Sequence, residues 1–586
     1  MPIQLLFIKE IYLEMYFIPK EMKNAQDNDV IDYSVFESVD ELKKAFSKRM
    51  VVEDNDDEKE DKEDNDGALE TNKETGDEAK QDKDVDKEEL PKKELPVVYA
   101  DKDAEAKCIF KYIIMFTNSK DPKENKTLKN VIEAVEPFKD TKLLLLYPDE
   151  MHFETDEDDN MLTIGDDDIT IEFDDTYNNT NTLVIARLGI QKEEECKTAI
   201  KMLQDKGFLV LNPVRASELA CNKYDSAVLF KKCEIPQPNF CLMKKDILYD
   251  EKDFNAAMKE VDSKWSKDTD KNAELNFVIK ILDGHGGTGV AMIDGKKLIA
   301  MLQMIFAIDP ERRLIIQRKE EGDGGDIRVH VLTLRNKQVI LGAMKRVKIG
   351  GDFRSNVSLG ATAEPVELTP EQEEIALKTA KISGLPWCAV DIMPLVKGSN
   401  KKLGDNVVLE INASPGTDGI SDVLDFNLVT LLLNELSDPK EFCLQQSTAG
   451  FIETVSVDFG KGEFDVLAKL DTGNGSKASH IEVGKLDING GKASFSINGK
   501  KYKLDIIDES KAVTGTQVNK RPVVILKSLK LGNRCVIDLP VALVEHRTGK
   551  STNMLINRNA LTCLSYAVSP FQTHVLTPEM EKMKII

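Results

Sequence analysis

Nine cysteines are scattered through the 586 residues without a single CxxC pair. That absence excludes the usual spacings of a zinc ribbon or a disulfide framework. The thiols are odd in number and are expected to stay reduced and partly buried, as in a cytosolic protein. Long apolar runs are missing too. The N-terminal stretch MPIQLLFIKEIYLEMYFIP is apolar but carries Lys9, Glu10 and Glu14. It reads neither as a signal peptide, which wants a basic start and an unbroken apolar centre, nor as a spanning helix, which wants about twenty apolar residues. The expectation is a cytoplasmic protein that meets no membrane, in the host cytoplasm if the chain is viral. Positive charge is also short: 79 Lys and Arg stand against 103 Asp and Glu, a net charge of −24. A basic surface for direct nucleic-acid binding is thereby excluded for the chain as a whole. No Ser- or Cys-centred triad suggests itself either.

What the chain does have is organisation. Its length is a soft prior for roughly four domains. Residues 1–50 read as a small helical or mixed piece of unassigned role. From Glu53 to Glu89 there are 19 acidic and 6 basic residues, with almost no large apolar side chains, so 51–97 is expected to be a disordered acidic linker. An α/β pattern follows over 106–213. KYIIMFT, KLLLLYP and TLVIARLG read as buried strands, TLKNVIEAVEPF as a helix, and EECKTAIKMLQDKG as a helix ending at Gly207. A larger α+β region spans 214–440. The segment 451–570 is rich in strand-like runs and Asn-Gly turns such as INGK at 497–500.

The chemistry concentrates in the third region. In KILDGHGGTGVAMIDGKK, Gly284, Gly286 and Gly289 match GxGxxG, but VAMI and an Asp-Gly turn follow where a dinucleotide site needs a helix. No Lys-Ser/Thr follows the glycines, so it is not a Walker loop. A glycine hairpin, with Gly286 and Gly287 at its tip, can still close its N–H groups over phosphates. Lys280, on the strand entering the loop, can reach α or β phosphates. GGDIRVHVL brings Asp326 and Arg328; KRVKIGGDFRSN brings Arg346, Arg354, Ser355 and Asn356. Asp391 in CAVDIMPLV, and Glu410 with Asn412 in NVVLEINASPG, lie in apolar strands where a charge must be paired or bound to a metal. Residues two apart on a strand share a face, so these three offer hard oxygen ligands for Mg2+ or Mn2+ holding nucleotide phosphates.

In this order, the motifs over about 106–436 resemble the RimK-type ATP-grasp L-glutamate ligases. The resemblance rests on VLNPVRASELACNKYDSAVLFKKCEIPQP, GGDFRSN and LEINASPGTDGI. It implies a multidomain chain with an α/β pre-ATP-grasp domain and an α+β ATP-grasp domain. Lys223, Lys280, Asp326, Arg354, Ser355 and Asn356 would contact ATP, and Asp391, Glu410 and Asn412 would hold two divalent ions, Mg2+ or Mn2+. At the adenine hinge the family usually carries Gln-Glu-Tyr, where this chain has Arg318 and Lys319. A carboxylate would attack the γ-phosphate, Arg346 would offset charge in the transfer, and an amine would then displace phosphate from the acyl phosphate. The implied partners are glutamate and a protein or peptide acceptor, a ribosomal protein being one candidate.

KLDTGNGSKASH, Lys469–His480, raises a second resemblance. With KRPVVI and MLINRNAL it is similar to the retropepsin-like proteases associated with RimK, so-called ATP-dependent zinc proteases, which implies an all-β aspartic peptidase domain over 451–570. Asp471 would be its catalytic carboxylate. Such a site needs two carboxylates, and one DTG occurs here, so a homodimer through this domain is implied. Lys477, Ser479 and Asn557 depart from the family pattern, and Asn is expected to keep the turn through its tolerance of left-handed backbone. His480 and His546 are lone histidines, read as surface or core rather than zinc ligands. Two other readings stay open: a ligase of a small molecule or peptide with a dimerising C-terminal domain, and an inactive tethered assembly protein.

Overall fold

The structure is a computed structural model. It describes residues 97–583 apart from 118–120, 124, 148–151, 156–161, 167–168, 175, 188–193, 285–287, 348–361, 401, 515–516, 546–550 and 582. The N-terminal piece and all of the acidic linker except Val97 therefore lie outside the described residues, as do His546 and the tip of the glycine loop. Val97 opens a short strand, Val97–Tyr99, paired in parallel with Gln338–Ile340.

Four strands form a parallel sheet in the order Lys142–Leu146, Tyr112–Phe116, Thr182–Ala186 and Leu209–Leu211. Helix Glu194–Asp205 packs on it with Cys196, Ala199, Ile200 and Leu203 buried at helical spacing. Fully burying an aliphatic side chain of the size of Ile200 or Leu203 is worth about 1.5–3 kcal/mol. The chain leaves this helix through Gly207, whose φ of +87° suits glycine. A three-stranded antiparallel sheet, His152–Thr155, Leu162–Gly165 and Thr170–Phe173, is inserted ahead of strand Thr182–Ala186. The hydrophobic pattern does not reveal it, because its strands are four residues long and mix acids with apolar residues.

Two further sheets follow. Strands Val290–Asp294, Asn276–Ile281, Leu314–Arg318 and Phe240–Met243 make an antiparallel sheet, with helices Glu251–Val261 and Leu298–Ile308 contributing to its core. The glycine run joins the first two of these strands as a hairpin. The six-stranded sheet runs Val97–Tyr99, Gln338–Val347, Gly325–Thr333, Trp387–Pro394 and Asn406–Asn412, with Thr362–Pro365 on Gln338–Val347. Helix Pro370–Ser383 shares its core and starts with a full capping box between Thr369 and Gln372. One apolar cluster joins Ile113, Met115 and Leu128 of the first region to Leu332, Val339, Trp387 and Leu432 of the second, so parallel sheet and six-stranded sheet share a core.

The last region is a β-barrel. Strands Ser479–Asn489, Arg534–Glu545, Gln517–Leu531, Ile452–Asp458, Phe464–Asp471 and Met554–Asn557 pair in sequence, and Met554–Asn557 pairs back to Ser479–Asn489. The ring is thus closed, which removes strand edges within it, while Lys500–Asp505 and Asp508–Thr514 remain as edges outside it. Asn498 and Gly499, at φ 46° and 67°, make the expected tight hairpin turn. Ser447–Gly450 and Tyr566–Ser569 form a separate parallel pair. Buried Arg534 donates from Nη1 to the carbonyls of Leu564 (2.7 Å) and Ser565 (3.0 Å), at the C-terminus of helix Arg558–Leu564. The barrel also meets the rest of the chain. Asn179 and the Cys535 backbone exchange bonds of 2.9 and 2.8 Å, and a Cβ on Gly207 would lie 2.4 Å from Arg534 Cγ.

Candidate active site

Register in the six-stranded sheet lines up the charged groups. Asp391 lies opposite Arg328 on one side and Glu410 on the other, and Asp326 lies opposite Arg346. Asp391 is 1 % exposed, and its oxygens are crowded with donors. Arg328 binds it bidentately through Nε and Nη2, both at 2.7 Å. Arg346 Nη2 adds a bond at 2.7 Å, and Asn412 Nδ2 a longer one at 3.4 Å. Burial alone would raise the Asp391 carboxyl, but the Arg328 and Arg346 charges override it and hold it far below the usual carboxylate range. Arg346 also donates to Asp326 at 2.6 Å. Burial works against its charge, yet Asp391 and Asp326 outweigh this and keep the guanidinium above its ordinary value.

The antiparallel sheet supplies the opposite wall. Lys280 is half-buried on strand Asn276–Ile281. Desolvation pushes its ammonium down to about 8, with Lys223 adding to the effect and Glu410 and Asp391 opposing it. The charges of Glu410 and Asp391 thus act on Lys280 from the six-stranded sheet, which brings the two sheets together at this point. Lys223 opens helix Lys223–Lys232 and turns its Nζ onto the Gly284 carbonyl, next to the glycine loop. In that loop Gly289 has a φ of +72°, and a Cβ there would lie 2.4 Å from the Ile281 side chain, so glycine is required. Gly286, Gly287, Arg354, Ser355 and Asn356 lie outside the described residues. At the hinge, Arg318 reaches buried Asp262 at 3.5 Å and Glu320 at 3.7 Å, and the Lys319 N–H donates to the Asn276 carbonyl at 3.0 Å.

Several residues at this cleft are not singled out by sequence reasoning as site residues. Arg328 is placed on the strand by the sequence but given no role, although the alternation in DIRVH puts Asp326, Arg328 and His330 on one face. His330 is fully buried, and neither ring nitrogen has a hydrogen-bond partner among the described residues. Burial, then Arg328, push it down to about 3, so it is neutral. Glu320 and Asp262, the carboxylates facing Arg318, carry no signal in the sequence beyond their charge.

The cleft fits a divalent ion by donor chemistry. Glu410 has no ion pair or hydrogen bond among the described residues, and Asn412 keeps its Oδ1 when its Nδ2 goes to Asp391. Asp391 gives most of its acceptor capacity to the arginines, so Glu410 is the carboxylate best placed to ligate. No cluster of three or more His, Cys, Asp or Glu suited to a metal is found among the described residues; the donor set here is two carboxylates and an amide.

Asp471 sits elsewhere, at the end of strand Phe464–Asp471, paired in parallel register with Asn557. Its Oδ1 accepts the Gly473 N–H at 3.1 Å, and Thr472 and Gly473 are exposed. Arg558 braces the loop from behind, Nε to the Thr472 carbonyl at 2.7 Å and N–H to the Asn474 carbonyl at 3.0 Å. The expected left-handed backbone at Asn557 is not what holds the turn. Its φ is −81° and ψ 167°, an extended conformation, and it caps helix Arg558–Leu564 by accepting the Ala560 N–H at 3.0 Å. Its Nδ2 ties down the Ser476 carbonyl at 2.6 Å, and its Oδ1 accepts from Ser479 at 3.0 Å. His480 Nδ1 lies 3.1 Å from Arg521 Nη1, so a cation occupies the neighbourhood of that ring.

Known proteins resemble this chain over the region that holds the cleft. Residues 220–436 match the RimK-like ATP-grasp domain family. A probable alpha-L-glutamate ligase of Thioalkalivibrio sulfidiphilus is 36% identical over 144 residues, 25% of this chain and 44% of that protein. Another, of Trichodesmium erythraeum, is 28% identical over 239 residues, 40% of this chain and 70% of that one. The chain spans under half of the first relative and 49% of one from Maridesulfovibrio salexigens. Among solved structures, the ATP-grasp ligase PsnB with its minimal precursor aligns at 18% identity and TM-score 0.39, covering 56% of this chain and 98% of PsnB. A RimK domain ATP-grasp protein from Sphaerobacter thermophilus aligns at 14% identity and TM-score 0.38, covering 55% and 98%. Over residues 220–436 the chain is thus similar to RimK-like ATP-grasp domains, and probable alpha-L-glutamate ligases are among the proteins it resembles.

Proposed function

We propose that this chain is an ATP-dependent carboxylate–amine ligase that joins glutamate to the C-terminus of a protein or peptide in the cytoplasm. The observation that carries the reading is the cleft in which Lys280 faces Asp391 and Glu410 across two sheets, inside the RimK-like region. A carboxylate oxygen attacks the γ-phosphorus of ATP, ADP leaves, and an acyl phosphate forms. The amine then attacks the acyl carbon, giving up a proton as phosphate departs. Lys280 and Lys223 hold phosphate oxygens, with the glycine loop closing over them. Arg328 and Arg346 keep Asp391 ionised and oriented, and Arg318 and Lys319 flank the adenine. Mg2+ or Mn2+, held by Glu410, Asn412 and Asp391, would neutralise phosphate charge. Placement and electrostatics supply most of the acceleration. The test is purified protein with ATP, Mg2+, glutamate and a peptide acceptor, read by mass. Stepwise glutamate additions with ADP release are expected; a protein that binds ATP but extends no acceptor overturns the reading.

A second activity is favoured by Asp471. We propose that two barrels pair so that two Asp471 carboxylates share a proton and activate water against a peptide bond, trimming the tail that the ligase builds. The exposed DTG loop on a single closed barrel supports this. Cleavage of polyglutamate-tailed peptide should fall on dilution and vanish in Asp471→Asn with ligation intact. Equal cleavage by the variant, or by monomer, leaves the barrel a binding or dimerising module.

A further inference from the structure

Arg187 is where the parallel sheet meets the cleft. It follows strand Thr182–Ala186 directly, at the carboxyl end of parallel strands, where α/β sheets collect ligands. Its Nη1 donates to the Pro415 carbonyl at 2.7 Å, three residues beyond Asn412. Its charge is felt at His330, as are those of Arg328, Asp391 and Arg346. Because the parallel sheet and the six-stranded sheet share one core, this placement is rigid. Arg187 therefore approaches His330, on strand Gly325–Thr333, from the first domain, while the charge of Lys280 interacts with Glu410 and Asp391 from the antiparallel sheet.

Arg187 differs from the other arginines of the cleft. Arg328 and Arg346 each bind Asp391, and Arg346 also binds Asp326. Among the described residues Arg187 has no carboxylate at ion-pair distance. Asp418, whose charge it feels, is paired with Lys126 at 3.6 Å. Desolvation pushes Arg187 down to about 10, against the pull of Asp418. One of its five N–H donors is used on a carbonyl, which leaves a fork suited to a carboxylate. The unpartnered ring nitrogens of buried His330 mark the same region as polar beyond its internal needs. A desolvated cation with no carboxylate at ion-pair distance among the described residues is costly to maintain, and a bound anion lowers that cost.

We propose that Arg187 is the substrate-carboxylate recognition residue of the ligase, gripping a carboxylate that is not itself phosphorylated. The proposal rests on the ligase reading above. That carboxylate belongs either to the incoming amino acid or to the peptide acceptor. The recognising chemistry is the same for both.

The test uses the full chain as wild type, Arg187→Gln and Arg187→Lys, with KM measured for ATP, glutamate and peptide acceptor, and Kd measured directly for ADP. Arg187→Gln is expected to raise one substrate KM on the order of 10- to 100-fold, the loss of a charged hydrogen-bonded pair, with ADP binding unchanged. Arg187→Lys should recover part of that loss. A rise confined to glutamate assigns the amino acid, and a rise confined to peptide assigns the acceptor. Replacing the recognised carboxylate by carboxamide should penalise wild type and leave Arg187→Gln indifferent. Unchanged KM for both substrates, a parallel loss of ADP binding, or an equal carboxamide penalty in both proteins overturns the proposal. A wild type that binds ADP and ligates nothing sinks the ligase reading instead.

Discussion

Asp391 and Glu410 face each other across neighbouring strands, yet their surroundings differ sharply. Asp391 is the buried anchor of two guanidiniums, whereas Glu410 is partly exposed and lacks an ion pair among the described residues. Asp391→Asn should therefore cost about 3–5 kcal/mol, because Arg328 and Arg346 lose a buried counter-charge. Glu410→Gln should leave the unfolding midpoint nearly unchanged while abolishing ligation. Chemical denaturation alongside ADP release checks both. Lys280 permits a pH prediction. Its ammonium titrates near 8 instead of at the usual lysine value, through burial, and only the charged form binds phosphate well. ATP affinity should therefore fall as pH rises through about 8, with proton uptake on binding in that range, and Lys280→Gln should lose the dependence. Calorimetry in buffers of different ionisation enthalpy reads it. At this scale the period of two in the apolar strands makes Asp391, Glu410 and Asn412 legible. Arg187 is not legible, because a single arginine after a strand has no pattern; its meaning depends on a carbonyl more than two hundred residues away.

Elements are read best where apolar periodicity is strong. The strands of the parallel sheet and helix Glu194–Asp205 emerge from their patterns, and Gly207 marks the helix end. The inserted sheet between His152 and Phe173 and the closure of the barrel do not, because short mixed strands and long-range pairing leave no local trace. Asn557 shows how a right expectation of a turn can carry a wrong mechanism. The residue works as a helix cap and a clamp on the Ser476 carbonyl, not as a left-handed hinge. Asn557→Ala should destabilise the barrel by about 1–2 kcal/mol for the lost cap. It should also speed amide exchange in the loop from Thr472 to Ser476, read by hydrogen–deuterium exchange. Asn557→Gly keeps the backbone but loses all three side-chain bonds, so it should show the same faster exchange.

At the scale of the whole molecule, one shared core joins the parallel and six-stranded sheets, while the antiparallel sheet keeps a core of its own. The barrel is held on the joined sheets by polar contacts and by the fit of Gly207 against Arg534. Gly207→Ala should combine backbone strain with that clash, and a loss of about 1–3 kcal/mol is expected. The earliest protease cuts should then move to the stretch 440–450 that leads into the barrel. Residues 1–95 should be dispensable for ligation, since every residue assigned to the cleft lies at Arg187 or beyond it and the stretch Glu53–Glu89 is too acidic and too poor in apolar side chains to order itself. A truncated protein starting at Pro96 should turn over ATP at the full-length rate.

The closed ring of strands has a consequence for how the protein is made. Met554–Asn557 bonds to both Phe464–Asp471 and Ser479–Asn489, so the ring cannot close until that strand has been synthesised. By then the ligase sheets, complete at Asn412, have left the ribosome and can fold, because domains fold as units in the order of synthesis. A nascent chain stalled before Met554 should therefore already bind nucleotide. It should also expose open barrel edges that chaperones engage, until the last strand arrives and seals them.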